Sequence, residues 1–179
     1  RDHAVHITLH VAEPAALEQR LLDGRLHIGI GAFYHHVPGL AYSHLFHEGQ
    51  SLYCGKGHPF FRRAPNDLEA EEVRAALYVG RGYIARDLPP VAGLNVAATA
   101  FDMEASLTLI RSGSYIGHLP RHFAQDWESR GELRCILPEQ FDFISEFEDV
   151  QRRGGASLRL VRAFLEDLRR AHAPPLKVR

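Results

Sequence analysis

A surplus of positive charge is what this sequence most clearly lacks. Its 21 Lys and Arg residues face 22 Asp and Glu, the formal net charge is −1, and both signs are interleaved along the chain. Binding to nucleic acid draws much of its affinity from neutralised phosphates, so a DNA-gripping surface would show a basic stripe. None is present, and this segment by itself is a poor candidate for holding DNA. No apolar run approaches the roughly 18 residues that a bilayer-spanning helix needs, so no membrane contact is expected. Arg1–His6 has neither the basic nor the apolar part of a signal peptide. Cysteine is scarce: Cys54 and Cys135 lie far apart, form no metal-ligand pair, and fit a reducing cytoplasm as small buried hydrophobes. Catalytic signatures are missing as well. There is no G-x-S-x-G elbow, no H-E-x-x-H, no Walker loop, and no G-x-G-x-x-G after the first strand. An enzyme is therefore not expected.

What is present is an ordinary globular composition, in a chain long enough for one domain or two small lobes. Val5–Val11 alternates apolar and polar residues and reads as a strand with one packed face. Pro14 then opens a helix carrying Leu17, Leu21 and Leu22, closed by Asp23-Gly24, and Leu26–Gly31 reads as a second strand. Strand, helix and strand in so short a stretch predict a parallel βαβ unit, and hence an α/β fold. Further strands are expected at Leu40–Phe46, Gln50–Cys54, Leu77–Val79, Leu94–Ala98, Tyr115–His118 and Leu133–Leu137, with Phe141–Val150 extended. Helices are expected from Asp67 through Ala76, from Asp102 through Ile110, from Pro120 through Trp127, and over Leu158–Leu168. The Pro174-Pro175 tail should be loose.

Four stretches, taken in order, resemble the effector-binding domain of LysR-type bacterial transcription regulators. They are LEQRLLDGRLHIGIG (Leu17–Gly31), LYCGKGHP (Leu52–Pro59), MEASLTLIRSGSYIGHLPRHFA (Met103–Ala124) and the amphipathic Leu158–Arg170. The third is the most specific, similar to the family's helix, G-x-G-I-x-x-L-P strand and following helix. His27 stands where the family usually has Asp, and Ser114-Tyr115 where many members have Leu-Gly. The resemblance implies a type 2 periplasmic-binding-protein-like architecture, two Rossmann-like lobes around a ligand cleft. Lobe I would take roughly 1–54 plus 147–179, and lobe II 55–146. It also implies a cytoplasmic homodimer or homotetramer that reaches DNA only through an N-terminal winged helix-turn-helix outside this chain. The domain's first strand and helix are likewise expected to precede residue 1.

Ligands of open α/β sheets sit beyond the carboxyl ends of strands. That rule selects the loops Gly31–His36, Gly80–Tyr83, Ala100–Glu104 and Gly117–His118. The candidate ligand-binding residues are Gly31, Ala32, Phe33, Tyr34, Arg81, Tyr83, Phe101, Asp102, Met103 and His118. Arg81 offers a fork for a carboxylate. The helix starting at Asp102 turns free N–H groups toward an anion, unless Asp102 caps them itself. Phe33, Tyr34 and Tyr83 could wall an apolar pocket. An anionic organic effector is the expected ligand, with no cofactor. The 12 histidines invite a metal reading, yet neighbours on an extended segment point apart and no third ligand is fixed, so no metal site is expected. Two alternatives remain at this point: a transport solute-binding protein, and a metal-dependent enzyme or sensor using the histidines.

Overall fold

The computed structural model describes residues 5–84, 88–154 and 158–172; the Pro174-Pro175 tail lies outside them. Helix α1 (Pro14–Leu22) starts on Pro14, whose missing N–H costs nothing in a first turn, and ends at Gly24 with φ +71°. It buries Leu21 completely, and Tyr42 donates a 2.6 Å hydrogen bond to Glu18. Strand β1 (Gly29–Gly31) follows, and β2 (Leu40–Gly55) is one 16-residue strand where two short ones were expected. Next come α2 (Ala70–Ala75), β3 (Leu77–Arg81), β4 (Asn95–Ala100), α3 (Met103–Arg111), β5 (Ile116–Pro120) and α4 (Arg121–Ser129). β6 (Leu133–Cys135), the short α5 (Pro138–Phe141), β7 (Phe143–Arg152) and α6 (Arg159–His172) complete the order.

The predicted parallel βαβ unit does not form. Among the described residues, 5–12 pair with no strand, and Ile7, Leu9 and Val11 stand exposed, Val11 at 88%. Alternation marks which side chains could share a face, but a strand exists only where a neighbour takes its N–H and C=O groups. β1 instead runs antiparallel to β7, with Ile30 opposite Asp149. Asp67 ends a 3-10 turn, and Glu69 occupies the N-cap of α2 without a side-chain cap bond.

The strands form one mixed sheet in the order β1-β7-β2-β5-β3-β4, with β6 continuing the edge of β2 that β7 leaves. β3 runs parallel to both β4 and β5, so three carboxyl ends, at Arg81, Ala100 and Pro120, share one side. β2 and β7 are the long members. They pair antiparallel from Leu40–Arg152 to Gln50–Phe143, and a bulge between His44 and Phe46 shifts the register by one. Three cores lie along this sheet. Leu21, Phe33, Leu40 and Val150 form a small one beside β1. The β2-β5-β3-β4 part carries two larger ones, around Leu52, Tyr78 and Phe141 and around Tyr53, Ile110 and Leu119. Close backbone approach holds the second in place: a Cβ on Gly55 would lie 2.3 Å from the Ile110 carbonyl oxygen. α6 is tied back by Arg169, whose Nε and Nη2 donate to the two oxygens of fully buried Asp149, both at 3.0 Å.

Candidate ligand-binding site

Arg81 ends β3 on the side where the three parallel strands terminate. Its Nη2 donates to the Gln50 side-chain oxygen at 3.0 Å and to the His118 carbonyl at 3.2 Å. Its Nε is buried and has no hydrogen-bond partner among the described residues. A buried guanidinium N–H without an acceptor costs desolvation energy that a ligand oxygen would recover.

Tyr34, in the loop after β1, comes to this guanidinium from the other end of the sheet. Its phenol lies close to the Ser145 side chain and within electrostatic reach of Arg81, Tyr83 and Glu48. Burial raises the Tyr34 pKa, opposed by the Ser145 hydroxyl and the Arg81 charge, so the phenol stays neutral. Glu48 and Gln50 occupy alternate positions of β2 and share one face; Glu48 pairs with Ser145 in register, and Gln50 donates to Glu48 at 2.6 Å. Burial pushes the Glu48 carboxyl up, against the pull of His122 and Arg81, and His122 stands 3.7 Å away. The cluster thus joins β2, β3, β7, the β1 exit loop and the start of α4.

Beside it, a small open cavity of about 140 Å³ is lined by Tyr78, Gly80, Arg81, Ile84, Val91 and Phe101 among others. Phe101 is half exposed and lies against Gly82, where a Cβ would meet its ring at 2.2 Å. Glycine there lets an aromatic wall stand close to the backbone next to Arg81. Tyr83 packs at the edge of the neighbouring core. Asp102 and Met103 open α3, and the Asp102 carboxylate accepts from Ala105 N–H at 2.7 Å. The cap therefore takes one of the donors that an anion was expected to use. Gly31 and Ala32 are half-buried at the β1 exit.

Two expected residues are turned away from the cluster. Phe33 is buried in the small core, edge-on to Tyr42, because an apolar ring following a short strand gains more by covering Leu21 and Val150 than by lining a polar cleft. His118 is 2% exposed and held at both nitrogens: Nδ1 is 3.0 Å from the Tyr78 hydroxyl and Nε2 is 2.9 Å from the Phe141 carbonyl. Since a carbonyl only accepts, Nε2 carries the proton and Tyr78 donates to Nδ1. Burial lowers the His118 pKa to about 4, partly offset by the Phe141 bond and reinforced by Arg81. His118 is a neutral strut whose own carbonyl helps aim Arg81.

Glu48, Gln50, Ser145 and His122 were not among the expected residues. Gln50 had a signal only in being an amide at the head of an expected strand; Ser145 and His122 had none. Burial first pushes both thiols up, Cys54 to about 12 and Cys135 to about 11, which disfavours the thiolate at each.

The family described as the LysR substrate binding domain matches residues 1–173. The chain belongs to it. LysR-type domains of this kind are the effector-binding parts of transcription regulators, and their fold is the type 2 periplasmic-binding-protein-like α/β arrangement. The HTH-type transcriptional activator BauR of Pseudomonas aeruginosa is similar, at 38% identity over 167 residues, or 90% of this chain and 54% of that protein. The chain thus spans about half the length of that curated relative. Among solved structures, the Synechocystis CcmR regulatory domain in complex with 2-PG shares the fold with a TM-score of 0.74 at 15% identity, covering 95% of this chain and 85% of that one. The regulatory domain of CrgA, a LysR-type regulator from Neisseria meningitidis, gives a TM-score of 0.65 at 20% identity, over 86% and 79% of the two chains. The matched relatives are transcription regulators.

Proposed function

We propose that this LysR-type domain senses a small anionic organic molecule held by Arg81, and that it has no enzymatic activity. The observation that carries the reading is the buried Arg81 Nε, which has no acceptor among the described residues while the same guanidinium is aimed by Gln50 and the His118 carbonyl. Tyr34, Tyr83, Phe101 and Met103 would surround the ligand, with Gly31, Ala32 and Asp102 at the rim. Glu48 and Ser145 would meet a hydrogen-bond donor at the ligand's other end. In this reading residues 1–54 plus 147–179 form lobe I and 55–146 lobe II; the small core beside β1 falls wholly within lobe I, whereas Leu52, Tyr53 and Cys54 at its boundary pack into the two larger cores of lobe II. Residues joined across β2 and β7 would then feel closure of the cleft. A ligand shifts such an equilibrium only by its differential affinity for the two closures.

The whole protein would be a cytoplasmic homodimer or homotetramer, carrying this signal to DNA through a helix-turn-helix beyond the present chain. Exposed Leu160 and Phe164 on α6 suit self-association. That the CcmR regulatory domain was solved in complex with 2-PG supports a small-molecule ligand for a fold of this type. The test is calorimetric or thermal-shift titration with a panel of small carboxylates, followed by Arg81→Gln and Arg81→Lys. Charge-assisted hydrogen bonds contribute about 1.5–3 kcal/mol, so Arg81→Gln should weaken a hit by roughly 10- to 150-fold. Lysine lacks the planar fork and should not restore it. A carboxylate that binds equally well to Arg81→Gln would refute the assignment.

A further inference from the structure

On the face of β2 and β7 opposite Glu48 and Ser145, three ligating side chains converge. His47 pairs with Glu146 in register, one residue before the Glu48–Ser145 pair. In a regular strand His44 and His47, three residues apart, would point to opposite faces. The bulge changes that. Two residues of β2 oppose one of β7 between His44–Glu148 and Phe46–Phe147, so the alternation inverts, and His44, His47 and Glu146 emerge together. The imidazole centroids of His44 and His47 are 4.5 Å apart, and His44 Nδ1 is 3.0 Å from Glu146 Oε1. One ligating atom from each of the three lies within 4.8 Å of the others.

We propose that His44, His47 and Glu146 form a surface site for a divalent transition ion of the zinc, cobalt or nickel type. Two imidazoles and one carboxylate suit these borderline ions and disfavour magnesium or calcium, which take oxygen ligands. Around tetrahedral zinc, ligand atoms at about 2.1 Å from the metal sit roughly 3.4 Å apart. The trio thus needs rotation about side-chain bonds and no movement of the two strands. All three residues are exposed, so water completes the coordination. The ion would cross-link β2 to β7 next to the point where the ligand cluster spans them, yet on the other face. Nothing in the assignment depends on Arg81 or on the nature of the organic ligand.

The rival account is that His44 and Glu146 are only a surface ion pair, and His47 separates the two. His47→Ala leaves that pair intact but removes a metal ligand. Zinc(II) titration of the chain by calorimetry at neutral pH, with cobalt(II) absorption as a second readout, should give one site of micromolar affinity. Tetrahedral cobalt bands should appear at one equivalent. His47→Ala, His44→Ala and Glu146→Gln should each weaken zinc by about tenfold or more, while His35→Ala, outside the trio, should change nothing. Binding should also weaken in acid, because imidazole must be deprotonated to ligate. No saturable binding up to about 100 µM zinc would overturn the proposal, and so would affinity that His47→Ala leaves unchanged.

Discussion

Replacing His118 by Gln removes one buried titrating group, and its effect on stability should depend on pH in a calculable way. In the fold the imidazole accepts from Tyr78 and donates to Phe141, and its pKa is lowered from 6.5 to about 4. The unfolded chain takes up a proton below about 6.5, whereas the folded chain resists until about 4. The unfolded state therefore binds more protons in that window. Stability from the neutral imidazole is fully present above pH 6.5, is lost as pH falls through the window, and levels off below 4. At about 1.4 kcal/mol per pH unit, the whole window amounts to roughly 3 kcal/mol, and the interval from pH 7 to pH 5 to about 2. With a urea slope near 2 kcal/mol/M, the wild-type midpoint should fall by about 1 M more than that of His118→Gln between those two pH values. Glu48, whose raised carboxyl works with the opposite sign, and His58, lowered by burial, are present in both proteins and cancel in the difference. His118→Gln will be less stable at neutral pH, so the slope is the readout and the absolute midpoint is not. Parallel midpoint-against-pH curves for the two proteins would refute the neutral, doubly held imidazole.

Two other changes test how the halves of the site are supported. Gly55→Ala drives a Cβ to 2.3 Å from a backbone oxygen of α3; backbone offers no rotamer escape, so a loss of about 3 kcal/mol is expected, read as a melting drop of roughly 6–12 °C. A melting temperature within a degree of wild type would mean that α3 can shift freely against β2. Asp102→Ala removes the acceptor for Ala105 N–H and should cost about 1 kcal/mol. If instead it strengthens carboxylate binding at least several-fold, the α3 N-terminus and not Arg81 is the anion anchor.

Much of the fold was legible because it is written in local chemistry. Pro14 and Gly24 bracket α1, Asp102 caps α3, and Pro120 launches α4, each for a reason confined to a few residues. Arg81 was singled out for the same kind of reason, as a forked cation at the carboxyl end of a predicted strand, and it does stand at the end of β3. What local chemistry does not carry is the neighbour. Val5–Val11 has the alternation of a strand without a partner to pair with among the described residues. Gly29–Gly31 has too few residues to announce that it runs antiparallel to a strand more than a hundred positions away.

The same gap explains the polar residues. Gln50, Ser145 and Glu48 gain meaning only when β2 and β7 are laid side by side, since each alone is an ordinary polar residue of a strand. Phe33 and His118 illustrate the converse. They occupy the right ends of the right strands, but an aromatic ring beside Leu21 and an imidazole between Tyr78 and Phe141 find complete partners inward. An end-of-strand rule names positions, whereas the direction of a side chain follows from which surroundings satisfy it. The bulge at His44–Phe46 makes the point most sharply. Alternation argues that His44 and His47 diverge, and one unpaired residue in the ladder makes them converge. Whether this surface binds metal therefore turns on a single register shift that no periodicity in the sequence records.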